Sequence, residues 1–317
     1  MRIAVGSLTK RFGSNLAVDN ITTEFRGSVN VLLGANGSGK STLINILAGL
    51  TYPNEGHVVL DGEPISVKDR RRLREEIERL RSNAGFLLSG GGYPSNLTGL
   101  EFLHSIGGKD ADDGWVSEIL DDLQMSDYIE KKIGEYSTGM TQKLGIAASL
   151  SSKPEVVLWD EPTANLDARS RRSVVNLAAR VSQQGSRFII ASHTPSDFDE
   201  VADWVGFMQL GRLIKAGDLS LMTNGARWEV HTDKPSEVAA SLIMAGFATD
   251  VRITHETVSL KVSEGFDPQK IPTLDALKRT KISSVVRVQG TLSEVYAAFM
   301  VQNERIQSAK MGEGLRT

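Results

Sequence analysis

The stretch Val29-Asn30-Val31-Leu32-Leu33-Gly34-Ala35-Asn36-Gly37-Ser38-Gly39-Lys40-Ser41-Thr42 decides the fold. Its first five residues are a short, β-branched apolar run, the pattern of a buried strand. A glycine-rich loop follows, and then an apolar helix pattern over residues 41–50. From Gly34 to Ser41 the loop fits G-x-x-x-x-G-K-[ST] at every fixed position. Glycines let such a backbone turn tightly, so that the N–H groups of Gly34, Ala35, Asn36, Gly37, Ser38 and Gly39 face β- and γ-phosphate oxygens. Lys40 brings a point charge to those oxygens, and the Ser41 hydroxyl is a Mg²⁺ ligand. Ser41 and Thr42 open the helix, whose N-terminal dipole favours the same anion. A chance glycine-rich turn is the alternative, but here a strand enters and a helix leaves, as the chemistry requires.

Outward from this loop, two more apolar runs read as buried strands, at residues 156–159 and 188–191. The first ends in Asp160-Glu161. Two acids at the carboxyl end of a parallel strand stand where such sheets bind ligands. Asp160 is placed to hold Mg²⁺, and Glu161 to polarise an attacking water; taken alone, the pair could simply cap the next helix. Helix patterns at 170–184 and 195–201 complete an α/β domain with a largely parallel sheet. Residues 101–150 read as an inserted helical subdomain. Residues 67–82 form a charged helix whose Glu–Arg spacing suits a solvated face, or else a surface for an acidic partner or phospholipid. Residues 217–226 look like a linker. Beyond it, strands at 228–231, 251–253, 258–262 and 285–288 and helices near 236–245 and 292–301 suggest a small α+β domain over 227–303, ferredoxin-like (βαββαβ). Residues 304–317 read as a tail.

The 317 residues carry a formal net charge of -3 and no cysteine. No basic excess marks a nucleic-acid binder, and Cys-ligated metals and disulfides are excluded. The opening residues lack a signal-peptide h-region, and no run of about 18 apolar residues predicts a membrane span. The expectation is a cytoplasmic protein whose membrane role, if any, comes through a partner.

Taken together, Gly34 to Ser41, Tyr136-Ser137-Thr138-Gly139-Met140-Thr141-Gln142, Asp160-Glu161-Pro162-Thr163, Asn165-Leu166-Asp167 and His193 resemble the ATP-binding-cassette (ABC) transporter ATPases over roughly residues 1–220. That resemblance implies a P-loop NTPase fold, with ATP and Mg²⁺ as cofactors. Two subunits, a homodimer or a pair with a similar ATPase, would associate head to tail with the nucleotide between them. It implies that Ser137, Gly139 and Gln142, in the signature segment, meet the nucleotide on the partner's loop. Asp167 would lie across the interface near the partner's loop. His193 would be the switch histidine, bonding the γ-phosphate and the water at Glu161. Phe12 stands where the family stacks an aromatic on adenine; a core phenylalanine is the alternative. The usual metal-contacting Gln is replaced by Ser89, expected to reach Mg²⁺ through water beside Ser41 and Asp160. The wider implication is a subunit bound to the inner face of the membrane through an integral permease, with no nucleic acid partner. The ending Thr291-Leu292-Ser293-Glu294-Val295-Tyr296 resembles exporter-type ATPases. Rival readings are a soluble ABC ATPase acting on nucleic acid or ribosomes, and an ATP-sensing module with little turnover.

Overall fold

In the computed structural model, residues 1–88, 92–107, 112–222, 227–263, 266–277, 280–288 and 291–300 are described. Their contacts divide the chain into two compact units, Met1–Leu219 and Ser220–Thr317.

In the first unit the opening strands are β1 (Ile3–Phe12), β2 (Asn15–Phe25) and β3 (Val29–Leu33). Every residue of β3 is buried, which is why its sequence is a continuous apolar run rather than an alternation. α1 (Lys40–Leu47) leaves the glycine loop and buries Leu43, Ile44, Ile46 and Leu47. Then come β4 (Glu55–Leu60), β5 (Ile65–Ser66), α2 (Arg70–Ser82) and β6 (Ala84–Leu87). Three helices, α3 (Gly99–Gly107), α4 (Asp113–Asp122) and α5 (Thr138–Leu150), form the inserted helical part. β7 (Val156–Asp160), α6 (Ala168–Gln183), β8 (Arg187–Ser192), β9 (Trp204–Gln209) and β10 (Arg212–Asp218) complete the sheet, and α7 (Leu219–Met222) follows.

Six strands pair in the order β10-β9-β3-β8-β7-β6. All neighbours are parallel except β10 with β9. A second sheet, β2-β1-β4-β5, is wholly antiparallel. One hydrophobic cluster joins Ile3, Val5, Leu8 and Phe25 of this sheet to Leu43, Ile44 and Leu47 of α1 and to Leu32, Leu158 and Ile189 of the larger sheet. Each such side chain contributes about 1.5–3 kcal/mol on burial.

α2 buries Leu73, Ile77 and Leu80. Its solvated face carries Arg71–Glu75 and Arg79–Glu76 pairs at 3.0 and 2.9 Å, in accord with the laced-face reading. Two expectations are corrected. The helix expected over 195–201 is one 3-10 turn, Pro195–Phe198; Pro195 suits a helix start, but so short a segment gives too few bonds to propagate an α-helix. The linker expected at 217–226 begins inside β10, because Gly217 and Asp218 pair with Val205 and Trp204. An edge strand with a mostly exposed face looks like a linker by composition.

In the second unit, β11 (Arg227–Thr232), α8 (Pro235–Met244), β12 (Ala248–Ile253), β13 (Thr257–Val262) and β14 (Ile282–Val288) follow in order. Their sheet is β12-β13-β11-β14, antiparallel throughout. This is the strand arrangement of a ferredoxin-like βαββαβ unit. The second crossover is not a helix but two 3-10 turns, Pro268–Thr273 and Asp275–Leu277, since Pro272, inside the first of them, lacks the N–H that an α-helix would need there. Val230, Val238, Leu242, Val258, Leu260 and Ile271 form the core. Residues 292–300 are helical.

Candidate functional site

Strand β3 runs parallel to β8, and β8 to β7. Their carboxyl ends therefore deliver the Gly34 loop, His193 and the Asp160-Glu161 pair to one edge of the sheet, where parallel α/β sheets hold ligands.

Within the loop, Gly39 has φ 101°, and an added Cβ would come within 2.2 Å of the Ala17 carbonyl oxygen. Only glycine fits, and the contact sets the β1–β2 hairpin against the loop. Lys40 is 5% exposed. Its Nζ donates to the carbonyls of Gly34 at 2.7 Å and Ala35 at 3.2 Å, and lies 3.8 Å from Glu161 Oε1. Burial pushes the Lys40 pKa below the usual lysine value; the carboxylates of Glu161 and Asp160 oppose that shift. A cation held this way is poised to be shared with an anion.

One residue on, the Ser41 hydroxyl donates to Asp160 Oδ1 at 3.0 Å. A hydroxyl and a carboxylate form a hard oxygen pair of the kind that suits Mg²⁺, which keeps its remaining positions for water and phosphate. Ser38 Oγ is buried and makes no hydrogen bond within the protein. An orphaned donor in a phosphate-type loop fits a triphosphate oxygen. Among the described residues no three His, Cys, Asp or Glu side chains cluster as a metal cage.

Glu161 sits at φ 52°, in the left-handed region, at a cost of about 1–3 kcal/mol for a non-glycine residue. Its N–H donates to the Ala191 carbonyl at 2.9 Å. His193 Nδ1 is 2.7 Å from Glu161 Oε2; an ionised carboxylate only accepts, so the ring nitrogen is the donor. The expected carboxylate and histidine are thus brought into direct contact with each other.

Ser137 caps α5, accepting from Met140 N at 3.3 Å; Ser137 and Thr138 are exposed, and the remaining N–H groups of a helix start favour an anion. Gln142 spends its amide in its own chain: Nε2 donates to the carbonyls of Glu161 at 3.0 Å and Pro162 at 3.1 Å. Asp167 caps α6, accepting from the N–H and the hydroxyl of Ser170 at 2.9 and 3.0 Å, and these bonds hold its pKa below the usual carboxylate value. Phe12, at the end of β1, is 51% exposed, with Lys10 Nζ 4.7 Å from its ring centroid; it is no core residue. Ser89 lies outside the described residues. Sequence reasoning missed the two tethers of the Glu161 peptide, Ala191 and Gln142, because glutamate gives no signal for a left-handed backbone.

A family model described as ABC transporter matches residues 18–164. The bacitracin transport ATP-binding protein BcrA of Enterococcus faecalis is 29% identical over 265 residues, covering 81% of this chain and 83% of its own. The daunorubicin resistance ATP-binding protein DrrA3 of Streptomyces coeruleorubidus is 30% identical over 246 residues, covering 76% and 77%. The Fe(3+) ions import ATP-binding protein FbpC of Escherichia coli K12 is 30% identical over 221 residues, covering 68% and 61%. A solved structure of the ATP-binding subunit of an ABC transporter matches with a TM-score of 0.62 and 20% identity, over 70% of this chain and 92% of that one. At that identity the likeness is one of fold.

Proposed function

Since this chain belongs to the ABC transporter ATP-binding proteins, we propose that it hydrolyses MgATP within a head-to-tail dimer and so drives a separate membrane permease. The observation that supports this best is the meeting of Lys40, the Ser41–Asp160 pair and the Glu161–His193 pair on three adjacent strand ends. Ser41 and Asp160 would hold Mg²⁺, with Ser89 as a further contact; the ion neutralises charge on the β- and γ-phosphates.

Lys40 shifts its donors from the loop carbonyls to the phosphate oxygens. Phe12 gives the adenine a stacking face. Glu161 accepts the proton of a water whose oxygen attacks the γ-phosphorus, as the β–γ bridging bond breaks towards ADP. His193 orients the Glu161 carboxylate through Nδ1–H, and in its imidazolium form the second ring N–H donates to the γ-phosphate. Ser137, Gly139 and the N-terminus of α5 meet the nucleotide held by the partner's loop, and Asp167 lies at that interface. Binding closes the dimer; hydrolysis reopens it.

No described helix is long and apolar enough to cross a membrane. On this reading a permease on a separate chain carries the substrate, with this subunit at its cytoplasmic face. Export is favoured over import. The bacitracin and daunorubicin likenesses cover 81% and 76% of this chain, against 68% for the iron-import protein.

The test is Glu161→Gln, which keeps reach but not basicity. Loss of a positioned base costs about 10²–10⁴ in rate. The variant is expected to bind ATP, release almost no phosphate and accumulate as an ATP-dependent dimer by light scattering. Turnover at the wild-type rate would remove Glu161 from the mechanism. An inactive variant that stays monomeric with ATP would count against the head-to-tail dimer.

A further inference from the structure

The turn after Glu161 is gripped twice by a single helix. At Gly139 an added Cβ would lie 3.3 Å from the Asn165 carbonyl oxygen, so the first turn of α5 lies close against the end of this turn. One turn further along, Gln142 Nε2 donates to both the Glu161 and Pro162 carbonyls. The Glu161 carbonyl also accepts from Ala164 N at 3.1 Å, and the Glu161 N–H is bound to Ala191. A glutamate does not adopt a φ of 52° by preference. Its backbone direction, and with it the aim of the carboxylate, is imposed by these partners.

Resting on the ATPase reading above, we propose that Gln142 is a positioning residue rather than a nucleotide contact. It ties the Glu161 carboxylate of its own site to the helix whose tip meets the nucleotide of the opposite site. Ser137 and Gln142 are separated by about 7.5 Å along the α5 axis. A nucleotide that draws the tip of α5 towards the partner therefore pulls on the Glu161 carbonyl against the Ala191 tether of its N–H, and re-aims the residue between them. The two sites of the dimer are coupled through one side-chain amide. A misplacement of about 1 Å costs on the order of 10²-fold in rate, so the Glu161 site is competent only when the opposite nucleotide has seated α5.

Gln142→Met keeps the side-chain volume and removes the donor; Gln142→Lys restores an N–H donor of similar reach. With the full chain and MgATP, Gln142→Met is expected to lose about 10²-fold in kcat with KM unchanged. Its Hill coefficient for ATP should fall from cooperative towards 1, and Gln142→Lys should recover turnover. In the Glu161→Gln background, Gln142→Met should leave the ATP-dependent dimer intact, which also shows that fold and nucleotide binding survive. An unchanged kcat overturns the proposal. So does a raised KM with loss of the ATP-dependent dimer, which would put Gln142 on the nucleotide. A fall in kcat without change in cooperativity overturns the link between the sites. Absence of turnover in the wild-type chain would instead sink the ATPase reading, and it is seen in a different protein.

Discussion

The indole of Trp159 sits one residue before Asp160, fully buried, and its Nε1 donates to Ser149 Oγ at 2.8 Å. Ser149 lies near the end of α5, 4% exposed, and its own hydroxyl proton goes to the Ile146 carbonyl at 2.7 Å. The hydroxyl oxygen is therefore the acceptor that satisfies the indole. Replacing Ser149 with Ala leaves a donor buried with no partner, at a cost of about 1–3 kcal/mol. Better helix propensity returns up to about 0.5 kcal/mol. In a unit of this size, about 2–4 °C accompany each kcal/mol, so the thermal midpoint should drop by roughly 1–10 °C. In a Trp159→Phe background the orphan donor is gone, and the same change should be neutral or slightly stabilising. Scanning calorimetry on the four proteins of this cycle gives a coupling energy, expected near 1–3 kcal/mol. Equal shifts from Ser149→Ala in both backgrounds would show that the bond contributes nothing and that the serine merely fills space.

Phe12→Ala should weaken ATP binding by the equivalent of about 1–3 kcal/mol of base stacking while leaving the thermal midpoint unchanged, because the ring is half exposed. Unchanged affinity with a large loss of stability would return Phe12 to a structural role. Lys40→Met removes two charge-assisted bonds of about 1.5–3 kcal/mol each, so titration with a fluorescent ATP analogue should show roughly 10²–10⁴-fold weaker binding; an undiminished affinity would refute the cradle. Burial lowers the Lys40 pKa, so between that lowered value and the ordinary value near 10.4 the unfolded chain holds more protons at this site. Stability should then rise with pH across this window relative to Lys40→Met, while ATP affinity falls. The opposite slope in urea midpoints would contradict the burial argument.

What could be read from the chain was set by burial on both faces. β3, β7 and β8 are buried at nearly every position, and their continuous apolar runs with small or polar residues behind them located the loop, the acids and His193. The antiparallel sheet of β1 and β2 escaped notice for a physical reason. Its ladder shifts register between Val5 and Leu8 and again on either side of Lys10, and Ser7 and Asn20 adopt positive φ. Such bulges break the two-residue alternation by which a half-buried strand is recognised. Gly217 and Asp218, the end of the edge strand β10, read as the start of a linker for the converse reason, their partial exposure at the sheet edge. At the site, residue types nominated candidates but did not show how they are aimed. The His193–Glu161 contact follows from strand order, and the Gln142 grip from how α5 lies against the turn after β7.

The order of strands in the second unit also has a consequence for synthesis. β14 pairs with β11, the first strand of its sheet, so that sheet cannot close until residue 288 has been made. The larger sheet of the first unit needs nothing beyond Asp218, the end of β10. At about 5–20 residues per second on the ribosome, the intervening chain takes roughly 4–14 s to emerge. The nucleotide-binding unit therefore has seconds in which to fold before its neighbour can compete for apolar partners. Variants that slow its folding should be rescued by slower translation of residues 219–288.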